Sequence, residues 1–263
     1  MSLVGGSLVV VRGAGDLGTG CIVRLVRSGF RVVALETATP LAIRRTVSLS
    51  EAMYDGFATV EGVRAFRCQD LPAKWKAGEV PLLEDPECRV LGRLSPVALV
   101  DAIVAKKNLG TRIDMAPVVV ALGPGFEAGR DVHAVIETNR GHDLGRVILS
   151  GGAEQNTGEP GLIAGQGARR VVHSPSAGVA TPIRAIGDTV EAGEPLLSIG
   201  AVVVSAPIGG VVRGMIRPGL EVPAGFKIAD VDPRFIRESC FSISDKARAI
   251  AGGVLEAILA LAP

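Results

Sequence analysis

The residues with most chemistry to offer stand where apolar runs end. Gly13, Gly15 and Gly18 follow the run Leu8-Val9-Val10-Val11 at GxGxxG spacing, and an apolar-periodic segment continues to Arg27. In a strand–turn–helix unit each glycine has its own task. Gly13 permits the tight turn, Gly15 lets backbone N–H groups approach a pyrophosphate, and Gly18 lets the helix lie close on the sheet. Asp16 completes this candidate loop. An anion would rest on the helix N-terminus, where unpaired N–H groups and the positive dipole end need no basic side chain. Glu36 closes the next apolar run, Arg31 to Leu35. An acid there meets a ribose diol and repels a 2′-phosphate, which favours an NAD-like dinucleotide over an NADP-like one. The same glycines could also serve helix packing alone.

Two further groups join this crevice if the strands are parallel. Arg44 and Arg45 follow Thr39-Pro40, which reads as the start of a short helix. They either clamp a phosphate or carboxylate or form a solvated helix end that offsets the dipole. Gly123-Pro124-Gly125 ends the strand Val118 to Leu122, and Thr138-Asn139-Arg140-Gly141-His142-Asp143 ends the strand Asp131 to Glu137. His142 beside Asp143 is the acid–base candidate, with Asn139 and Arg140 as ligand contacts. The alternative is a turn capped by Asn139 and Asp143. His133, inside an apolar strand, reads as structural. The four cysteines form no CxxC pair and have no histidine at zinc spacing, so neither a disulfide framework nor a metal site is signalled. Cys21, early in the first helix, is read as a small buried residue rather than an activated thiol.

These groups require an α/β chain with a Rossmann-like parallel sheet. The 263 residues allow two modest cores. A net charge of +1 and 3% aromatic residues disfavour nucleic acid. With no signal-like or membrane-length apolar run, the chain reads as cytoplasmic. Phe57 to Val60 and Val63 to Cys68 read as strands across a Glu61-Gly62 turn, Ala98 to Ile103 as another with Asp101 meeting a polar neighbour, and Gln69 to Arg89 as a surface excursion. The glycine-rich stretch 150–167 reads as a linker or lid, with the first domain ending near Gly161.

The second half repeats itself at a 32-residue offset: Pro175, Gly178, Val179, Gly187, Val190, Ala192 and Gly193 recur as Pro207, Gly210, Val211, Gly219, Val222, Ala224 and Gly225. This pattern predicts a biotinyl/lipoyl-like, hammerhead-shaped barrel sandwich. Its junction, Gly200 to Val204, has no lysine, so no covalent biotin or lipoate is expected. Such a module could cover a crevice, bind a partner or dimerise. An apolar-striped helix follows, opened by Ser244 or Asp245. The expected domains are 1–165, cofactor-binding; 166–234, barrel sandwich; and 235–263, a helical segment packing back on the chain.

Ordered blocks along nearly the whole sequence carry a family resemblance. They are Val11 to Gly20, Ala42 to Val47, Ala121 to Phe126, His133 to His142, Asp230 to Arg234 and Asp245 to Ile250. Together these resemble the YqeB-type proteins of selenium-dependent molybdenum hydroxylase systems, similar in outline to XdhC-type factors. The resemblance implies a bacterial accessory protein that matures a molybdenum hydroxylase client beside other maturation proteins. Molybdenum cofactor and an NAD-like dinucleotide are the candidate small anionic ligands at the glycine loop, and the resemblance leaves open which of them, or neither, the loop holds. The alternatives are an NAD-dependent oxidoreductase using His142, and a structural module of a larger complex.

Overall fold

The computed structural model describes residues 6–155 and 165–262. The chain divides into two compact units that do not follow chain order. One holds residues 1–40, 48–157 and 243–263, the other 41–47 and 158–242, each so far as described. Residues 156–164 of the expected linker or lid at 150–167 lie outside the described residues, and with them the expected domain end near Gly161.

In the first unit, β1 (Leu8–Arg12) is buried along all but its first residue, as a strand covered on both faces must be. It turns at Gly13 into α1 (Asp16–Arg27), and β2 (Arg31–Glu36) returns parallel to it. A short helix, α2 (Ala52–Asp55), stops at Gly56, whose φ of +81° suits glycine. β3 (Phe57–Val60) and β4 (Val63–Cys68) pair across Glu61-Gly62. Then come β5 (Glu79–Glu84), β6 (Ala98–Asp101), β7 (Val118–Leu122), β8 (Ala134–Ile136) and β9 (Val147–Ile148). The unit is completed from the far end of the chain by α3 (Asp245–Leu261), capped where Ser244 Oγ accepts the Ala247 N–H.

These strands form one nine-stranded sheet in the order β3-β4-β5-β2-β1-β6-β7-β8-β9. The expected Rossmann-like parallel sheet is corrected to a mixed one. Ladders are parallel from β4 to β8, but β3 and β9 pair antiparallel at the two edges. A two-residue turn such as Glu61-Gly62 can only reverse the chain beside itself. Helices also cover only one face: α1 and α3 pack together there, and α3 runs over β7, β8 and β9. The other face is filled by irregular segments carrying Cys88, Val90, Phe126, Ala128 and Val132, with Trp75 at their margin. The connections into β6 and β7 contain Pro86, Pro96, Gly110 and Pro117, and form only 3₁₀ turns.

Two local expectations also change. The Gln69 to Arg89 excursion contains β5, whose Val80 and Leu82 are wholly buried between β4 and β2. Pro81 disguised it, because a proline removes one ladder donor without forbidding extended backbone. The short helix expected after Thr39-Pro40 is replaced by a 3₁₀ turn, Arg45–Val47.

The second unit contains β10 (Val171–His173), β11 (Gly178–Pro182), β12 (Thr189–Val190), β13 (Pro195–Ile199), β14 (Val202–Ser205), β15 (Gly210–Met215), β16 (Glu221–Val222) and β17 (Lys227–Asp232). The 32-residue offset carries β11, β12 and β13 onto β15, β16 and β17. Each short strand pairs with the long strand of the other copy, β12 with β15 and β16 with β11. The expected biotinyl/lipoyl-like barrel is corrected accordingly. The exchange yields two four-stranded antiparallel sheets, β10-β17-β15-β12 and β14-β13-β11-β16, and no ladder among the described strands joins them. Leu196, Leu197, Ile199, Val212, Ile216 and Ile228 fill the core of this unit.

Candidate functional site

The glycine loop sits at the carboxyl end of β1, beside the point where the strand order reverses, with β2 on one side and β6 on the other. Open α/β sheets bind ligands at such reversals. The three glycines divide their tasks by geometry. Gly13 has φ +98°, and a Cβ there would lie 3.0 Å from the Ala102 backbone. At Gly18 a Cβ would stand 2.1 Å from the Gly13 carbonyl oxygen, so only glycine lets α1 begin this close to the strand end. Over Gly15 a Cβ would meet nothing within 4 Å. Gly15 is also the N-cap of α1 and makes no side-chain cap. The approach over Gly15 to the N-terminus of α1 is thus open, with Asp16 half-buried beside it.

Glu36 reaches this loop. Its Oε2 accepts the Ala14 N–H at 2.9 Å, and its Oε1 accepts the Thr37 N–H at 2.9 Å. The far side of the loop is fixed by Thr19, whose hydroxyl donates to the Ala14 carbonyl and accepts the Leu49 N–H. The Ser50 N–H donates to the same carbonyl. Next to Glu36, a cleft of about 450 Å³ opens at the end of β5, lined by Gln69, Glu84, Pro86, Arg89 and Arg93 among others. Glu84 stands in register with Glu36.

Beneath the loop lies a network that sequence reasoning identified only in part. Arg12, 6% exposed, and Asp101, 1% exposed, end adjacent strands in register. The Arg12 guanidinium donates to Asp101 Oδ2 at 3.2 Å, to Thr111 Oγ1 at 2.8 Å, and to the carbonyls of Pro86 and Leu109. Asp101 has the polar neighbour expected for it, and the two loops after β5 and β6 are tied to one cation. The signal was present as a charged residue closing each of two apolar runs.

The remaining candidates do not gather on the glycine loop. Arg44 and Arg45 belong to the second unit. There Arg44 donates to the carbonyls of Ser239 and Ser242, and Arg45 to that of Met215. Gly123 and Gly125 are spacing residues: a Cβ at Gly123 would lie 2.5 Å from Thr138 Oγ1, and at Gly125 2.6 Å from the Lys107 backbone. Asn139 donates to Glu154, and Arg140 grips Asp245 at 2.8 and 3.1 Å. The turn after β8 is organised by Glu137, which was not singled out in the sequence. Its buried carboxylate accepts the N–H groups of Thr138, Asn139 and Glu154. His142 is exposed and has no hydrogen-bond partner, and Asp143 pairs with Arg146 instead. His133 Nδ1 accepts the Val119 N–H, as a structural histidine would. Cys21 is fully buried, and burial pushes its thiol up to about 12, the opposite of activation. Among the described residues, no three of His, Cys, Asp and Glu group as metal ligands, and no helix is long and apolar enough to cross a membrane.

No family model matches the chain. Among solved structures it is similar to an aspartoacylase family protein from Mesorhizobium loti, with TM-score 0.28 and 14% identity, covering 86% of this chain and 84% of that one. It is also similar to a succinylglutamate desuccinylase/aspartoacylase from Rhodobacter sphaeroides, with TM-score 0.27 and 15% identity, covering 86% and 85%. A third is the ectoine utilization protein of Ruegeria pomeroyi, with TM-score 0.26 and 13% identity, covering 86% and 85%. Superpositions this partial transfer no activity to this chain.

The arginines expected to clamp the ligand donate instead to the carbonyls of Ser239, Ser242 and Met215, and His142 has no hydrogen-bond partner among the described residues. The expectations of a maturation factor, of an NAD-dependent oxidoreductase and of a structural module are therefore set aside. One curated relative is informative: YqeB of Escherichia coli is 51% identical over 260 residues, covering 98% of this chain and 48% of that protein. The chain is thus a homologue of YqeB along nearly all its residues, and it spans about half of that relative's length.

Proposed function

We propose that the first unit binds a phosphate-bearing nucleotide of the NAD class at the glycine loop. The observation that carries this reading is the open approach over Gly15 at the N-terminus of α1, with the Glu36 carboxylate held beside it. The pyrophosphate would take the first N–H groups of α1, and Glu36 would accept hydrogen bonds from a ribose diol. The cleft beside Glu36 falls within the 300–1,000 Å³ range common for small-molecule sites. The reading assigns binding and no reaction.

Isothermal titration of the chain with NAD, ADP-ribose and NADP tests it. NAD and ADP-ribose bind, and NADP binds more weakly because two carboxylates, Asp16 and Glu36, border the loop. Gly15→Val removes binding of all three while the Trp75 fluorescence of the folded chain is retained. Molybdenum cofactor, titrated in parallel, is the competing phosphate-bearing ligand. Failure of every dinucleotide to bind the wild-type chain refutes the reading.

A further inference from the structure

A second cleft, of about 350 Å³, lies within the first unit between α1 and α3. Its floor is made of small residues, Gly20, Val23 and Ala251, and its rim carries three guanidinium groups, Arg24, Arg27 and Arg248. The helices meet closely enough that a Cβ on Gly20 would lie 2.9 Å from the Ala247 Cβ. One carboxylate pairs with two of these three cations. Glu61 pairs through Oε2 with Arg27 at 3.3 Å and through Oε1 with Arg248 at 2.6 Å, while the Ile243 N–H donates to Oε1 at 2.9 Å. Among the described residues, Arg24 has only a 3.3 Å contact to the Arg248 carbonyl.

Glu61 sits in its two-residue hairpin turn at φ +47°, as such a turn requires, with its side chain only 17% exposed. Arg248 stands in the first turn of α3, where the helix dipole disfavours a cation. Arg24 and Arg27 are explained by the last turn of α1, where cations are favoured, but Arg248 is not. Glu61 therefore draws Arg27 and Arg248 to one rim, and three positive charges face one negative charge.

We propose that this cleft is a second anion site, taking a small dianionic group such as a phosphate or a dicarboxylate. Planar guanidinium forks suit either group, since both offer paired oxygen acceptors. An anion there also gains from the positive end of α3. Arg24, weakly engaged in the free chain, is the residue that would turn onto the ligand.

The test uses the full chain carrying Gly15→Val, so that the glycine loop contributes nothing and the two sites are judged separately. Pyrophosphate and malonate are titrated calorimetrically at about 0.15 M ionic strength, which screens diffuse attraction to exposed charges. The expected result is saturable binding of at least one probe, and which one binds identifies the source as phosphate or carboxylate. Arg24→Ala weakens that binding by at least about tenfold, the equivalent of ~1.4 kcal/mol, with unchanged Trp75 fluorescence. Glu61→Gln tightens it by removing the competing carboxylate, whereas a purely structural clamp would only lose stability. Absence of saturable binding, or an unchanged affinity in Arg24→Ala, overturns the proposal.

Discussion

Gly18→Ala compared with Gly15→Ala isolates what the glycine loop needs for folding from what it leaves open. At Gly18 the new methyl would stand 2.1 Å from the Gly13 carbonyl oxygen and 3.3 Å from the Ala102 Cβ. The nearer atom is backbone, so α1 or the turn must move by roughly 1 Å. Overpacking of this kind costs about 1–3 kcal/mol, and contact with an immovable carbonyl belongs at the upper end. Alanine returns ~1 kcal/mol of helix propensity, leaving a net loss of about 2 kcal/mol. At Gly15 the space is open and φ is −68°, so alanine costs only a weak N-cap difference, about 1 kcal/mol or less. Urea unfolding followed by Trp75 fluorescence reads the first unit alone, because Trp75 is the only tryptophan and packs against that unit's core. With an m-value of ~3 kcal/mol/M, Gly18→Ala lowers the midpoint by about 0.7 M, and Gly15→Ala by about half of that or less. If Gly18→Ala unfolds at the wild-type urea concentration, the tight packing of α1 on the strand end is wrong. Equal midpoints for the two variants would remove the division of tasks between the glycines.

Two further outcomes follow from buried charges. Arg12→Met leaves Asp101 as a buried carboxylate without its cation, which destabilises the first unit by about 3 kcal/mol. The lower end of the usual range applies because Thr111 Oγ1 and the Ile103 N–H still donate to Asp101. Urea unfolding of Arg12→Met and of Arg12→Met/Asp101→Leu checks this, and a double variant less stable than the single one contradicts it. In the second unit, burial works to raise the Asp232 carboxyl, but hydrogen bonds from Arg234 at 2.9 and 2.6 Å, with the Arg213 charge, hold it below the usual carboxylate range. A depressed carboxylate stabilises above its unfolded value near 4, and that contribution disappears as pH falls below it. Thermal unfolding between pH 7 and pH 3 should decline more steeply in the wild type than in Asp232→Asn, and parallel slopes in the two would contradict the assignment.

The legible parts of this chain are those whose cause is local. Strand β1 runs into the glycine loop and α1 because each residue there is constrained by its immediate neighbours, so four valines and leucines, three glycines and a helical period suffice to read it. The hairpin at Glu61-Gly62 is similar, since its turn fixes its own register. The repeat was legible because the same short pattern occurs twice, although the sheets form only when each copy's own strand pair is joined by the short strand of the other copy. The illegible parts were fixed from a distance. β5 reads as a polar, proline-interrupted excursion until β4 and β2 flank it, and nothing in Gln69 to Arg89 announces those neighbours.

The same distinction explains the candidate residues. Glu36 was found because an acid at the end of the second strand is forced toward the glycine loop by the βαβ unit itself, and its Oε2 meets the Ala14 N–H. Arg44 and Arg45 were assigned to that crevice by proximity to Glu36 in the sequence, yet the chain leaves the first unit for seven residues and returns. Within those seven residues the arginines meet carbonyls some 170 to 198 positions away, a partnership that no local pattern encodes. Arg140 likewise finds Asp245, 105 positions on. A cation near a glycine loop in sequence is therefore weak evidence for a phosphate clamp. The stronger evidence is a guanidinium that the fold has brought in against its own preference and left underused. Arg248, opposed by its helix dipole though paired with Glu61, meets the first half of that criterion, and Arg24, with one long contact, meets the second, so the proposed anion site rests on the two together.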